Sequence, residues 1–356
     1  MYDEAFFAAL TGAFERAYPA FDAQDFLARI YDEEWEAREL KQRMRHIALT
    51  LGALLPDDYR TALAIVREAA RHTPSGTFGT IIFPDFVELY GLDDWEASIP
   101  ALEQFTQQSS AEFAIRPFIL REPERTMAQM LAWTGHASEH VRRLASEGCR
   151  PRLPWGIALT PFKADPAPIL PILERLKTDP SEFVRRSVAN NLNDISKDNP
   201  HVTLDVLRRW QAIDTEEIRW LTKHALRTLI KKGDPGALDL LGFGEATVRV
   251  ENLAVEPQTV AIGAEVALSF DVVSHGQAEQ PLVIDYVVYL MRKNGQQTPK
   301  VFKLKQAVIQ PGETIHIARR HSFRPVTTRV YYPGAHGIEV QINGQSCGRV
   351  DFEVTT

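Results

Sequence analysis

A chain of 356 residues exceeds the roughly 250–300 over which a single core keeps growing, so two domains are expected. Its 44% hydrophobic and 24% charged residues exclude wholesale disorder, and no apolar run approaches the ~18 residues of a membrane-spanning helix. The net charge of −7 conceals a division: residues 1–111 carry 9 Lys+Arg against 19 Asp+Glu, whereas residues 112–232 carry 20 against 15.

A polyanion would therefore meet the middle third, because a local basic surface is what neutralises phosphates. Without a basic-then-apolar start, a cytoplasmic protein with no membrane partner is expected. The two cysteines, Cys149 and Cys347, supply neither a disulfide framework nor a four-thiolate zinc site.

From residue 1 to about 241, apolar residues recur at the three-and-four spacing of helices, with breaks at stretches such as Thr73-Pro74-Ser75-Gly76-Thr77. Ser138-Glu139-His140-Val141-Arg142-Arg143 returns 43 residues later as Ser181-Glu182-Phe183-Val184-Arg185-Arg186. Glu217-Ile218-Arg219-Trp220 echoes it weakly. That period matches the ~40–47 residues of HEAT and armadillo units, each a helix pair stacked on its neighbours. Residues 1–243 are expected to form an irregular HEAT-like solenoid.

Between the two copies lies Arg150-Pro151-Arg152-Leu153-Pro154-Trp155-Gly156, where two prolines forbid a regular helix. Trp155 either folds back as an apolar plug or presents its ring to a base or a cation; composition leaves both open. In the second copy, helical geometry sets Val184, Val188, Leu192 and Ile195 on one stripe. Arg186, Asn190, Asn193, Asp194 and Lys197 fall within an arc of about 100° opposite. Such an arc is either a solvated outer face or, as the mixture of amide, guanidinium and carboxylate suggests, the lining of a solenoid's concave groove.

The texture changes at Leu241-Gly242-Phe243-Gly244, after which apolar residues alternate. Strands are expected over 246–253, 265–274, 282–291, 301–309, 313–323, 328–332, 337–342 and 348–354. Asn294-Gly295 and Asn343-Gly344 suit two-residue hairpin turns. The fold expected is thus an all-α HEAT-like-repeat solenoid followed, over 246–356, by an all-β immunoglobulin-like sandwich lacking the Cys…Trp…Cys signature. Arg319-Arg320-His321 and the turn from Arg324 to Arg329 gather basic residues there, so either a loop of this domain closes on a polyanion held by the solenoid or the domain is a stabilising or protein-binding appendage.

Four stretches, in order, resemble the AlkC-type DNA glycosylases, HEAT-like-repeat relatives of the AlkD glycosylases, some with a C-terminal Ig-like domain. They are Glu112-Phe113-Ala114-Ile115-Arg116-Pro117-Phe118, residues 141–148 (VRRLASEG), Arg150-Pro151-Arg152-Leu153-Pro154-Trp155, and residues 184–198 (VRRSVANNLNDISKD). The resemblance implies hydrolysis of the N-glycosidic bond of cationic alkylated bases, chiefly 3-methylcytosine and 3-methyladenine, in double-stranded DNA. It implies an abasic product and recognition without full base flipping. It carries over four catalytic positions, Glu112, Glu147, Trp155 and Asp194.

Those residue types suit the chemistry. A base alkylated at N3 is already cationic and leaves with little help from a general acid. What remains is an oxocarbenium-like sugar and an attacking water, which carboxylates stabilise and orient. Trp155 can face the cationic nucleotide, worth ~0.5–2 kcal/mol.

Taken alone, each carboxylate also suits a plainer role. Glu147 can pair with Arg143, Asp194 can pair with Lys197, and Glu112 can favour a helix start behind Ser109-Ser110. Candidate phosphate contacts are Arg142, Arg143, Arg152, Lys163, Arg185, Arg186, Lys197 and Lys223, with Asn190 on the polar face of the second copy; each base can instead be a solvated side chain or a partner for a nearby Glu. With no Gly-rich phosphate loop and no spaced His cluster, neither cofactor nor metal is expected. His136 and His140 are structural or exposed, and Cys149 is an ordinary small residue. One duplex fills one groove, so a monomer is expected. The alternative function is a non-catalytic HEAT-repeat scaffold for DNA or protein.

Overall fold

A computed structural model describes residues 1–74, 78–327 and 329–356. Ser75–Thr77 of the expected break, and Thr328, lie outside them. Helices run from Glu4 to Asp239 and strands from Val248 to Thr355, the expected all-α then all-β order. No described helix is long and apolar enough to cross a membrane.

Five helices begin behind an aspartate, at Asp3, Asp22, Asp58, Asp94 and Asp234, whose carboxylate accepts hydrogen bonds from first-turn amides. Each such cap is worth ~1 kcal/mol. Part of the acidic excess of residues 1–111 is therefore architectural.

Two compact units divide the chain: residues 1–199 with 214–225, and residues 200–213 with 226–356. In the first, Phe7, Phe14, Phe26, Phe83, Phe86, Phe105 and Phe118 are buried between helices. The Glu139–Glu147 helix packs on the Glu182–Ile195 helix, which packs in turn on the Glu216–Ala225 helix. The stripe Val184, Val188, Leu192 and Ile195 is fully buried, as the helical period requires.

The 43-residue repeat is also a repeat of hydrogen bonds. Arg142 Nη1 donates to the carbonyls of His136 and Ala137, at 3.0 and 2.8 Å. Arg185 Nη1 donates to those of Asp179 and Pro180, the equivalent residues, at 2.6 and 2.9 Å. The Ser138 amide donates to His136 Nδ1 at 3.0 Å, and the Ser181 amide to Asp179 Oδ1 at 2.9 Å. Each helix of the repeat thus opens with the same turn, closed by the first arginine of its Arg-Arg pair.

The second unit holds two sheets. β1 (Val248–Glu256), β3 (Glu265–Ser274) and β6 (Thr314–Ser322) form one, in the order β1-β3-β6. β2 (Thr259–Ala261), β8 (Gln345–Thr355), β7 (Gly334–Ile342), β4 (Gln280–Met291) and β5 (Gln297–Ile309) form the other, in the order β2-β8-β7-β4-β5. Pairing is antiparallel except β2 with β8. Val266, Leu268, Phe270, Ile284, Tyr286, Val288, Ile338 and Val340 are among the buried residues of the core.

Seven expected strands form, and three details are corrected. Of the strand expected over 328–332, the described residues 329–332 make none; Arg329 forms an isolated bridge with Val326. β2 has only three residues, too few for an alternation to be read. Asn294-Gly295 lies inside a five-residue loop closed by the Arg292 amide on Gln296 O at 2.9 Å, so it is not a two-residue turn. Asn343-Gly344 is one, with φ of 49° and 79° as that hairpin demands.

Candidate active site

Three helices and one loop converge on a chain of alternating charges. Glu112 lies in the turn before the Ile115–Arg121 helix, Glu147 ends the Glu139–Glu147 helix, and Asp194 sits in the last turn of the Glu182–Ile195 helix. Arg143 Nη1 donates to Glu112 Oε2 at 2.6 Å, and its Nη2 lies 3.5 Å from Glu147 Oε1. Arg150 donates to Glu147 Oε1 at 2.6 Å and to Asp194 Oδ2 at 2.8 Å. Lys197 Nζ closes the series on Asp194 Oδ1 at 2.9 Å.

Two hydroxyls complete the carboxylates: Ser110 Oγ on Glu112 at 2.7 Å and Ser187 Oγ on Glu147 at 2.6 Å. Three acids are thus balanced by three cations in a nearly dry place, with Asp194 only 1% exposed. Buried carboxylates persist only when paired in this way. Burial works against the charge of Arg150, but Glu147 and Asp194 outweigh it and raise its pKa above the ordinary guanidinium value.

The loop after Glu147 is built around a second buried arginine. Arg116 donates to the carbonyls of Gly148 at 2.9 Å, Arg150 at 2.8 Å and Ile157 at 2.7 Å. Desolvation lowers its pKa to about 10, so it stays charged at neutral pH. Gly156 lets the loop close on it, since a Cβ there would stand 3.2 Å from Arg116 Nε. Arg150 is therefore held at both ends, its carbonyl by Arg116 and its guanidinium by two of the acids.

Inside this loop Trp155 is 68% exposed and adopts φ +63°. A bulky non-glycine residue in the left-handed region costs about 1–3 kcal/mol, tolerated where the surroundings enforce it. The presented ring is what the fold shows, and the apolar plug is corrected. Cys149 is wholly buried and its thiol is pushed up to about 12 by desolvation, which leaves it inert.

The expected phosphate contacts separate into two groups. Arg142 and Arg185 close the repeat turns, and Arg142 also grips Asp179 at 2.6 and 3.0 Å, so both guanidiniums are engaged within the fold. Arg143 is occupied between carboxylates, with its guanidinium 4.7 Å over the Phe183 ring.

Arg152 pairs with Asp198 at 2.6 and 2.8 Å on an exposed edge. That guanidinium foremost, with attraction from Lys163 and Lys197 against some burial, holds the Asp198 carboxyl below the ordinary range. Arg186 is exposed beside Glu182, and Lys223 is exposed on the Glu216–Ala225 helix. Asn190 Oδ1 stands 3.1 Å from His224 Nε2, and Trp220 stacks on that imidazole at 5.1 Å.

Sequence reasoning gave Arg150, Arg116 and Ser187 no role in the site and read Ser110 only as part of a helix start. The signal for Arg150 was its place three residues after Glu147; for Arg116, it was a charge set among Ile115, Phe118 and Ile119. No group of acids, histidines and cysteines fit to hold a metal occurs among the described residues. In the second unit, His321 of the basic stretch Arg319-Arg320-His321 differs from its neighbours. It is buried, shares a 3.1 Å hydrogen bond with Tyr286, and desolvation lowers its pKa to about 4, so it carries no charge at neutral pH.

A helical-repeat domain with paired acids and an exposed indole, followed by an Ig-like sandwich, defines the class, and the comparisons place the chain within it. Residues 249–356 match the family described as the C-terminal Ig-like domain of the uncharacterised protein YhaZ. The protein YhaZ of Bacillus subtilis is 44% identical over 355 residues, covering 99% of this chain and 98% of that one. The Pseudomonas fluorescens alkylpurine DNA glycosylase AlkC, solved bound to DNA containing an abasic site analogue, is 40% identical over 99% of this chain and 98% of its own, with a TM-score of 0.86. The chain belongs to the AlkC family.

Proposed function

We propose that this chain is a DNA glycosylase that removes cationic alkylated bases, 3-methylcytosine and 3-methyladenine, from double-stranded DNA and leaves an abasic site. The observation that carries this reading is the Glu112–Arg143–Glu147–Arg150–Asp194 series beside the exposed Trp155, in a chain similar end to end to an alkylpurine DNA glycosylase.

As the N-glycosidic bond breaks, its electron pair passes to the base and neutralises it, while positive charge moves to the sugar. Water adds its oxygen to C1′ and gives up a proton. Asp194 and Glu147, fixed by Arg150, stabilise the sugar cation and accept or orient that proton, and Glu112 extends the negative field. Preorganised charges in a dry site need little reorganisation when charge develops, which is why they act strongly there. Trp155 offers its ring to the cationic nucleotide from outside the stack, so the base need not be turned fully out. Arg152, Lys163, Arg186, Lys197 and Lys223, with Asn190, face the phosphates, and the protein acts as a monomer.

Lys197 also has a second role. It is the flexible, half-exposed member of the series, so a phosphate can draw its ammonium off Asp194 Oδ1 and free that oxygen for water. Incubation with methylated duplex in the absence of metal and nucleotide tests the proposal by release of free 3-methylcytosine and 3-methyladenine. No free base over many hours would refute it.

A further inference from the structure

We propose that Lys41, in the first turn of the Leu40–Leu54 helix, is a positioning residue that fixes the backbone of Trp155. Its Nζ donates to the Trp155 carbonyl at 2.7 Å, across 114 residues of sequence. The same ammonium stands 4.6 Å from the centre of the Phe113 ring, beside Glu112. One side chain from the N-terminal helices therefore touches both segments that carry the site.

The need for such a contact follows from the backbone. A tryptophan at φ +63° relaxes to negative φ unless something holds the peptide, and relaxation turns the carbonyl that follows. Arg116 holds the carbonyls of Arg150 and Ile157 on either side, and Lys41 holds that of Trp155 itself. A charge-assisted bond to this oxygen selects the left-handed conformer, and the indole is presented in one orientation. The face of Phe113 attracts the ammonium electrostatically, which helps hold Lys41 beside the loop.

This inference rests on the reading of Trp155 as the residue that meets the damaged nucleotide, and the test separates the two. The protein is labelled with 5-fluorotryptophan, and the Trp155 resonance is assigned by its loss in Trp155→Phe. In Lys41→Met that resonance shifts or broadens, while those of Trp95, Trp133, Trp210 and Trp220 stay in place. Single-turnover excision by Lys41→Met falls about tenfold, the scale of one lost charge-assisted hydrogen bond, with affinity for an abasic-analogue duplex held within about twofold. Lys41→Arg restores most of the rate. In a Trp155→Ala background Lys41→Met costs less than about twofold more, because the two act as one unit.

An unmoved Trp155 resonance overturns the inference, as does a loss that multiplies with Trp155→Ala. Weaker binding with a shallower salt dependence and unchanged excision also overturns it, by making Lys41 a phosphate contact. If Trp155→Ala excises at the full rate, the catalytic reading of the indole fails, and the resonance alone decides whether Lys41 positions it.

Discussion

Asp194 and Arg150 form the pair on which the proposed chemistry turns. Asp194→Asn keeps the shape and one acceptor but removes the negative charge. It should lower excision by about 10²–10³-fold, the range seen when one preorganised electrostatic group is lost. Affinity for abasic-analogue duplex should be retained or slightly increased, since a negative charge near phosphates has gone. Rapid-quench excision set beside equilibrium binding checks both, and parallel loss of the two would indicate a folding defect instead. Arg150→Met is expected to be harsher on stability, because Glu147 and Asp194 are left buried without their shared cation. Breaking such a pair costs about 3–5 kcal/mol, read as a lower melting temperature.

Among the elements, the repeat turn can be probed through its own hydrogen bonds. Arg185→Met removes two donors to the carbonyls that open the Glu182–Ile195 helix, on which Ser187 and Asp194 ride. A stability loss of about 1–3 kcal/mol is expected, with the salt dependence of DNA binding unchanged, since Arg185 is not counted among the phosphate contacts. In β6, His321 is buried neutral, its folded pKa of about 4 lying below the ordinary 6.5. A base whose folded pKa is depressed contributes its full stability above pH 6.5 and loses it as pH falls toward 4, by about 3 kcal/mol at most. His321→Gln, which keeps a partner for Tyr286, should flatten the pH dependence of unfolding in that window; an unaltered profile would show that other groups set it.

For the whole molecule, the division into units governs where the chain can be cut. The sequence changes character near 243, yet residues 200–213 and 226–245 belong to the compact unit that contains the strands. The Arg227–Lys232 helix packs on β5, and Asn343 Nδ2 donates to Gly244 O at 2.7 Å. Truncation at residue 245 should therefore leave the Arg227–Lys232 helix without β5, and the Gly233–Pro235 turn that leads into the Pro235–Asp239 helix without Gly344. Limited proteolysis of that fragment is expected to cleave within 226–245 while residues 1–199 and 214–225 stay protected. Equal resistance across 226–245 would mean that these helices hold without the strands.

Local pattern in the sequence was enough to determine the two fold classes, the repeat, seven strands and the left-handed Asn343-Gly344 turn. Periodicity, β-branching and turn chemistry act between residues close in the chain. The resemblance to AlkC-type glycosylases rested on contiguous motifs, which a sequence preserves intact. Only the tertiary structure decided which charges meet. Glu112 and Arg143 are 31 residues apart, Arg150 and Asp194 44, and Lys41 and Trp155 114. Helix period cannot say whether an arginine reaches back to its own entering turn, as Arg185 does, or outward to a partner, as Arg152 does. Burial at Arg116 and His321, and exposure at Trp155, are set by what packs against them, and that depends on helices and strands distant along the chain.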